Sequence, residues 1–405
     1  MSSENLFTEH LNKETIFLNR NALLPHYTPE HLLFREKQME NLVDSLAVIL
    51  RNEKPSNIFL YGKTGTGKTA ASKLVVEHLL QAMKSKQGNF ASAYMNCRTY
   101  NSKYKVLSKA VKELFPKENF LGYSATFVFE KVMEYVNETK SHLVLVLDEI
   151  DMIKDLDECV YSLTRANDDL KNGSISILGI SNKLNFKDKL DPRTKSSLCE
   201  RELIFPPYNA EELTEILRQR AEIALKNKIV EDSALRLAAA LAAKESGDAR
   251  TAVLFLLKGA ELAEKKGLTK ITDKEIELAK KSVEEEIAFE MISCLPEQQQ
   301  RVLKSIAVLA GEKKGVQSLH GSSREEAVLL SGEVFEKYQS MAKEEKVSII
   351  SGRWYREYLN ELEMYGLIST IMSGKGQRGQ TKLIKVLLDS KKILKACAQT
   401  ADLTN

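Results

Sequence analysis

The run Gly62-Lys-Thr-Gly-Thr-Gly-Lys-Thr69 constrains this chain more than any other feature, because of what flanks it. Before it stands the short apolar run NIFLY (57–61), and KTAASKLVVEHLLQAMK (68–84) after it has helical periodicity. A buried strand that ends in glycines and passes at once into a helix is the first half of a crossover, since a parallel neighbour is reached only by a long connection. The alternation continues downstream. FASAYMNC (90–97), LVLVLDEI (143–150), SISILGIS (174–181) and RELIF (201–205) read as strands, and YKVLSKAVKELF (104–115) and SATFVFEKVMEYV (124–136) as helices. A further helix is expected from about Glu30 to Arg51, after the breaker Tyr27-Thr-Pro29. Apolar runs separated by amphipathic helices predict an α/β domain whose parallel sheet is covered on both faces.

The loop fits G-x4-G-K-[ST], and its residue types suit a phosphate chain. The expected cradle is Gly62, Lys63, Thr64, Gly65, Thr66, Gly67, Lys68, Thr69 and Ala70. Glycines let backbone N–H groups curl around phosphate oxygens, and the helix N-terminus adds its positive end. Lys68 is placed to reach the β- and γ-phosphates of ATP, and the Thr69 hydroxyl to ligate Mg²⁺. LVLVLDEID supplies the partner motif: Asp148 would hold the metal shell beside Thr69, and Glu149 would orient or deprotonate the attacking water. A strand ending in acids is weak alone and strong when paired with such a loop. A dinucleotide site is disfavoured, because G-x-G-x-x-G is absent and Lys-Thr closes the loop. Asn182 ends the next strand, at the same carboxyl edge; it either polarises the γ-phosphate or the water, or merely starts a turn. Arg193 in LDPRTKSSL and Arg250 in SGDARTA are candidate phosphate sensors or fingers, although a lone arginine is commonly a solvated surface residue.

With 405 residues the chain holds two or three domains. After Pro206-Pro207 the pattern changes, and 210–286 shows only helical periodicity, punctuated by Gly247 and Gly267. Near Pro296 helical text resumes as QQQRVLKSIAVLA, GEVFEKYQSMAKE and SGRWYREYLNELEMYGL. LISTIM and TKLIKVLL follow, joined by SGKGQRGQ, and three helices with a hairpin make a winged helix. The expected layout is a nucleotide-binding α/β domain over 1–206 (1–20 a polar arm), a helical lid over 207–287, a winged helix over 288–397 and a tail over 398–405. No stretch approaches the ~20 apolar residues of a membrane span, and MSSENLFTEHLNKE lacks a secretory core, so the expected location is the cytoplasm, on the nucleoid. The five cysteines have no CxxC or Cys/His spacing, which favours free thiols over disulfides or zinc. Net charge is only +3, so any basic surface must be local.

Such a surface stands at 370–395, where seven Lys/Arg face one acid, Asp389. Lys375, Arg378, Lys382 and Lys385 lie in or beside the glycine-rich hairpin, a basic tip suited to the minor groove or the phosphate backbone. The preceding helix, about Ser351 to Met364, is the recognition-helix candidate. Tyr355, Leu359 and Leu362 form its apolar stripe, and Arg353, Arg356 and Asn360 lie mostly off it, with chemistry that reads guanine and adenine edges. Glu357, Glu361 and Glu363 on the same helix would repel phosphate if they faced it, so a protein-contact wing is the alternative. The lone Trp354 is expected to be packed.

The order of these motifs resembles archaeal origin-recognition and cell-division-control-six initiators, members of the AAA+ superfamily. The resemblance runs from about residue 16 to 390 and is carried by NRNALLPHYTPEHLLFRE, YGKTGTGKT, LVLDEID, ISN, LDPRTKSSL, IFPPYNAEEL, ESGDAR and YLNELEMYGLI. It implies an AAA+ P-loop parallel-sheet domain with an α-helical lid and a C-terminal winged helix. It implies that Asn182 is the first sensor, Arg250 the second, and Arg193 an arginine finger that acts on a neighbour's ATP. It further implies that Tyr208 and Arg220 contact the nucleotide from the lid, that Leu24 to Arg35 encloses adenine, and that the helix beginning near Ser124 touches DNA. Such proteins bind ATP and origin DNA and help recruit the hexameric helicase. The implied cofactors are ATP or ADP and Mg²⁺; the implied partners are double-stranded origin DNA, the replicative helicase and paralogous initiator subunits; and the implied activity is slow, switch-like ATP hydrolysis. Two positions depart from the pattern: LLFRE lacks the polar residue that often precedes Arg35, and Thr251 stands where a second arginine is common. The competing readings are a signalling-type winged-helix ATPase, which usually adds long sensor repeats, and a clamp-loader-like subunit, whose C-terminal collar is helical. A nucleotide kinase leaves the acid strand, sensors and lid helices unexplained.

Overall fold

The computed structural model describes residues 15–25, 27–120, 122–183, 185–198, 200–318, 328–372 and 382–403. The chain divides into two compact units, residues 1–279 and 280–405.

The first unit is built on five strands: β1 (Asn57–Tyr61), β2 (Phe90–Asn96), β3 (His142–Asp148), β4 (Ser174–Ser181) and β5 (Glu200–Ile204). All pair in parallel, in the order β2-β3-β4-β1-β5. Every residue of β3 and β4 is buried, which is why HLVLVLD and SISILGIS read as near-continuous apolar runs. Alternate residues of β3 serve opposite faces. Leu143, Leu145 and Leu147 pack with Val106 and Leu107 of α3 (Lys103–Leu114), Val128 and Val132 of α4 (Ala125–Thr139) and Val160 of α5 (Leu156–Asp169). Val144 and Val146 pack with Leu42 and Leu46 of α1 (Glu36–Ala47) and Val75 and Leu79 of α2 (Lys68–Ser85). The helix expected from Glu30 begins only at Glu36. Phe34 sits in left-handed backbone at φ 60°, which no α-helix accommodates, and residues 27–35 run as an irregular segment. A short α6 (Pro192–Leu198) precedes β5.

A helical lid follows β5: α7 (Ala210–Ala224), α8 (Asp232–Glu245) and α9 (Ala249–Lys265). Asn209 and Glu212 close a capping box on α7, and the Asp248 side chain caps α9. Gly247 has φ 67°, and a β-carbon there would lie 2.7 Å from the Tyr208 carbonyl oxygen. Residues 15–23 are strapped across this lid. Leu18 N–H donates to Ala224 O at 2.8 Å, the Thr15 hydroxyl to Glu264 Oε1 at 2.7 Å, and Arg20 pairs with Glu261. Ala22 and Leu23 are fully buried.

The division between the units falls within α10 (Asp273–Ser293). The second unit continues through α11 (Glu297–Ser318), β6 (Val328–Leu330), α12 (Ser331–Glu344), α13 (Gly352–Met364), β7 (Ile368–Met372), β8 (Lys382–Val386) and α14 (Ser390–Leu403). Its antiparallel sheet has the order β6-β8-β7. Val302, Ile306, Tyr338, Leu359, Ile384 and Ile393 share one core. This is a winged helix with two elements beyond those read from the sequence, the three-residue β6 and the terminal α14.

Candidate functional site

A cleft of about 450 Å³ lies between the carboxyl edge of the five-stranded sheet and the lid. Residues Thr64 to Ala70 line it, together with Asp148, Glu149 and Asn182 from the sheet and Tyr208, Arg220 and Arg250 from the lid side. The loop needs its glycines for space. A β-carbon on Gly62 would stand 2.2 Å from the Phe205 carbonyl oxygen, and Gly67 holds φ 94° at the entry to α2. Lys68 is buried and donates to Gly62 O at 2.7 Å, Lys63 O at 2.6 Å and Asn182 Oδ1 at 3.0 Å. Burial pushes its ammonium down to about 8; Asp148 opposes that fall and Arg250 adds to it. Thr69 Oγ1 donates to Asp148 Oδ2 at 2.8 Å, and Tyr94 OH donates to the same oxygen at 2.8 Å. Loop, acid strand and Asn182 are thus one connected group.

Glu149 leaves β3 in left-handed backbone, φ 55°, and its carboxylate pairs with Arg98. Arg250 is the second residue of α9, where its N–H donates to Asp248 Oδ1 at 2.7 Å, and it lines the cleft. Tyr208 is buried, and that burial raises its phenol to about 12. Arg220 donates at 3.3 Å to the carbonyls of Ala22 and Tyr27 and stands over the Tyr27 ring, 4.6 Å from its centroid; its buried Nε has no hydrogen-bond partner among the described residues. Leu24, Tyr27, His31 and Leu33 complete the wall. Arg193 is exposed and not in this cleft. It lines a separate groove with Lys54, Tyr161, Arg165 and Asp168.

Four participants escaped the sequence reading. Tyr94 and Arg98 come from β2 and the turn after it, and only the pairing of Asn96 with Asp148 puts them beside the acid motif. Asp248 was not singled out from the sequence, yet it caps α9 and lies against Gly65. Arg35 was grouped with an adenine-enclosing segment, whereas its side chain turns into the junction of sheet and lid.

In the second unit, Arg353, Arg356 and Asn360 are exposed on α13, and Tyr355, Leu359 and Leu362 are buried. Asn360 accepts from Lys382 Nζ at 2.7 Å, which ties the helix to the hairpin. Two of the three helix acids are engaged within the unit. Glu361 accepts from Gln299, and Glu363 accepts from the N–H and hydroxyl of Thr370 at 2.7 Å each, contacts that hold its carboxyl below the usual range. Trp354 corrects an expectation: it is 57% exposed, resting obliquely against Tyr358 instead of in the core, because the buried stripe at 355, 359 and 362 leaves position 354 outside. Lys375 and Arg378 lie outside the described residues.

Three family models tile the chain: an AAA domain over 51–185, the Cdc6 AAA+ ATPase-type lid domain over 214–281 and the CDC6 C-terminal winged helix domain over 290–396. The "ORC1-type DNA replication protein 1" of Sulfurisphaera tokodaii is 38% identical over 391 residues, covering 96% of this chain and 94% of that one. The chain belongs to the ORC1-type DNA replication proteins. A second member of this family, from Archaeoglobus fulgidus, is 36% identical over 402 residues, covering 99% of this chain and 95% of the relative. Among solved structures, the Aeropyrum pernix ORC1 protein in complex with DNA matches with a TM-score of 0.81 at 32% identity, over 97% of this chain and 99% of that one. The ORC1-type assignment carries with it the AAA+ sheet domain, lid and winged helix expected from the motifs.

Proposed function

We propose that this protein is an ATP-switched replication initiator. It holds ATP between sheet and lid, binds duplex origin DNA through its winged helix, and helps recruit the replicative helicase, alone or with paralogous subunits. The observation that carries the reading is that Lys68, Thr69, Asp148 and Asn182 of the sheet edge face Arg250 of the lid across one cleft. The backbone cradle and Lys68 grip the phosphates, Asn182 polarises the γ-phosphate, and Glu149 orients and accepts a proton from the attacking water. Thr69 and Asp148 fit an Mg²⁺, since their oxygens already lie 2.8 Å apart and that ion takes few protein ligands alongside phosphates and water. When bound, the ion neutralises charge developing on the phosphate oxygens. Arg250 lets the lid sense the γ-phosphate, and Arg193, away from its own cleft, serves the nucleotide of a neighbouring subunit. Turnover is slow, as suits a switch, and the protein works in the cytoplasm on the nucleoid.

The engaged state of Glu361 and Glu363 favours a DNA-facing α13 over a protein-contact wing, because those acids are committed within the unit. The published DNA complex of the Aeropyrum relative supports the same partner. Genome-wide mapping of bound DNA tests the proposal. Discrete sites beside replication start points are expected, and they should be lost or redistributed in Lys68→Ala, which should also fail to bind ATP by calorimetry. Uniform occupancy of the genome would refute an origin-binding role.

A further inference from the structure

Arg35 is only 2% exposed. A buried guanidinium needs acceptors for its donors, and a carboxylate is the usual one. Glu212 and Glu36 act on Arg35 only through space, and burial lowers its pKa. Its donors go instead to the carbonyls of three separate segments. Nε donates to Thr66 O at 2.9 Å, one terminal nitrogen to Phe34 O at 2.7 Å, and the other to Pro206 O at 2.6 Å. The guanidinium also lies over the Tyr208 ring, 3.7 Å from its centroid. The three segments are the glycine loop, the stretch leading into α1, and the connection by which β5 passes into lid helix α7.

Two details give this contact a direction. The Thr66 carbonyl and the Gly67 N–H belong to one planar trans peptide, so a bond that fixes the carbonyl fixes where that N–H points. The Gly67 N–H is one of the donors around the expected phosphates. In addition, a β-carbon on Gly67 would lie 3.1 Å from the Tyr208 hydroxyl and 3.9 Å from Arg35 Cγ, so loop, arginine and hinge tyrosine are packed against one another. Arginine suits such a position because its rigid fork spans several acceptors and its flat face stacks; a lysine ammonium does neither.

We propose that Arg35 is a positioning residue that couples the orientation of the glycine loop to the hinge at Pro206–Tyr208, so that nucleotide on the loop sets the posture of the lid. This rests on the ATP-binding reading above. The lid also reaches the loop directly, through the Ala249 N–H to Gly65 O at 3.2 Å, so loss of Arg35 loosens the coupling without severing it.

Amide hydrogen exchange on the full chain, with and without saturating ATP, tests the inference. In the parent, ATP should slow exchange both at 62–70 and at 204–212. In Arg35→Met, which keeps the bulk and removes the donors, protection at 62–70 should persist. ATP affinity should fall about tenfold, the size of one charge-assisted hydrogen bond, and ATP-induced protection at 204–212 should drop by at least half. Arg35→Lys should recover only part of it. A merely structural arginine would lower the melting temperature and raise exchange with or without ATP, and would leave the ATP-induced difference at the hinge intact. Parent-like hinge protection in Arg35→Met would overturn the coupling. If that variant does not fold, parent-like affinity and hinge protection in Arg35→Lys would overturn it instead. Absence of ATP protection at 62–70 in the parent would count against the nucleotide site itself.

Discussion

Replacing Gly65 by alanine should weaken ATP binding about thirtyfold, and the structure says why. Gly65 has φ 65°, and a β-carbon there would lie 1.4 Å from Asp248 Oδ1 and 2.1 Å from Asp248 Cγ. Shutting the lid on that β-carbon therefore requires Asp248 to turn off its cap or the lid to hang back. Three costs of about 1 kcal/mol each follow: alanine in left-handed backbone, loss of the Ala249 N–H to Gly65 O bond, and disturbance of the Asp248 cap on α9. The first applies whether the lid is open or shut. The other two fall on the closed lid alone, about 2 kcal/mol together, which is roughly thirtyfold in affinity for a ligand that needs closure. Gly267→Ala is the matched control, because Gly267 also has φ 65° and its added β-carbon would meet nothing within 4 Å. Titration calorimetry with ATP should separate the two variants, and adding Asp248→Ala to the Gly65→Ala background should restore much of the binding. If Gly65→Ala bound ATP within about threefold of Gly267→Ala, the steric argument for lid closure onto the loop would be wrong.

Three other outcomes are expected. Glu149→Gln should bind ATP with near-parent affinity and lose phosphate release in a steady-state assay; release at the parent rate would remove Glu149 from its role. Because burial holds Lys68 at about 8 and a phosphate chain would raise it, binding should take up a proton near pH 8.5 and affinity should decline as pH rises through about 8. Calorimetry in buffers of different ionisation enthalpy reads that proton directly, and no buffer dependence would contradict it. Arg353→Ala, Arg356→Ala and Lys382→Ala together should weaken duplex binding and flatten its salt dependence by roughly 0.9 in log–log slope for each residue that meets a phosphate. An unaltered slope would move the DNA surface off α13.

The parallel sheet was legible because β1 and β4 are apolar runs with glycine-containing boundaries, and their expected bounds match the observed ones. The glycine loop was legible because its backbone path demands glycine at Gly62 and Gly67, which leaves a trace in residue type. What the sequence concealed is long-range. Nothing near Arg35 says that its acceptors are Thr66 and Pro206, because such bonds depend on how two distant segments meet. Helical periodicity upstream of Glu36 was overridden by left-handed Phe34, a tertiary preference no local rule anticipates. The pairing of Arg98 with Glu149 follows from β2 lying beside β3, a neighbour relation that strand order in the chain does not state. The acids on α13 suggested repulsion until Gln299 and Thr370 were found bonded to two of them.

The strap across the lid has a consequence for how the chain is made. Thr15 meets Glu264, 249 residues downstream, and at about 5–20 residues per second the ribosome takes roughly 12–50 s to deliver that partner. During that interval the strands of the sheet emerge in sequence and have all they need to pair, while Ala22 and Leu23, buried in the finished protein, gain part of their cover when α7 is made and the rest only with α9. Residues 15–23 are thus seated only after every strand of the sheet has been made, and a nascent chain stalled before α7 would carry an assembled sheet with Ala22 and Leu23 uncovered.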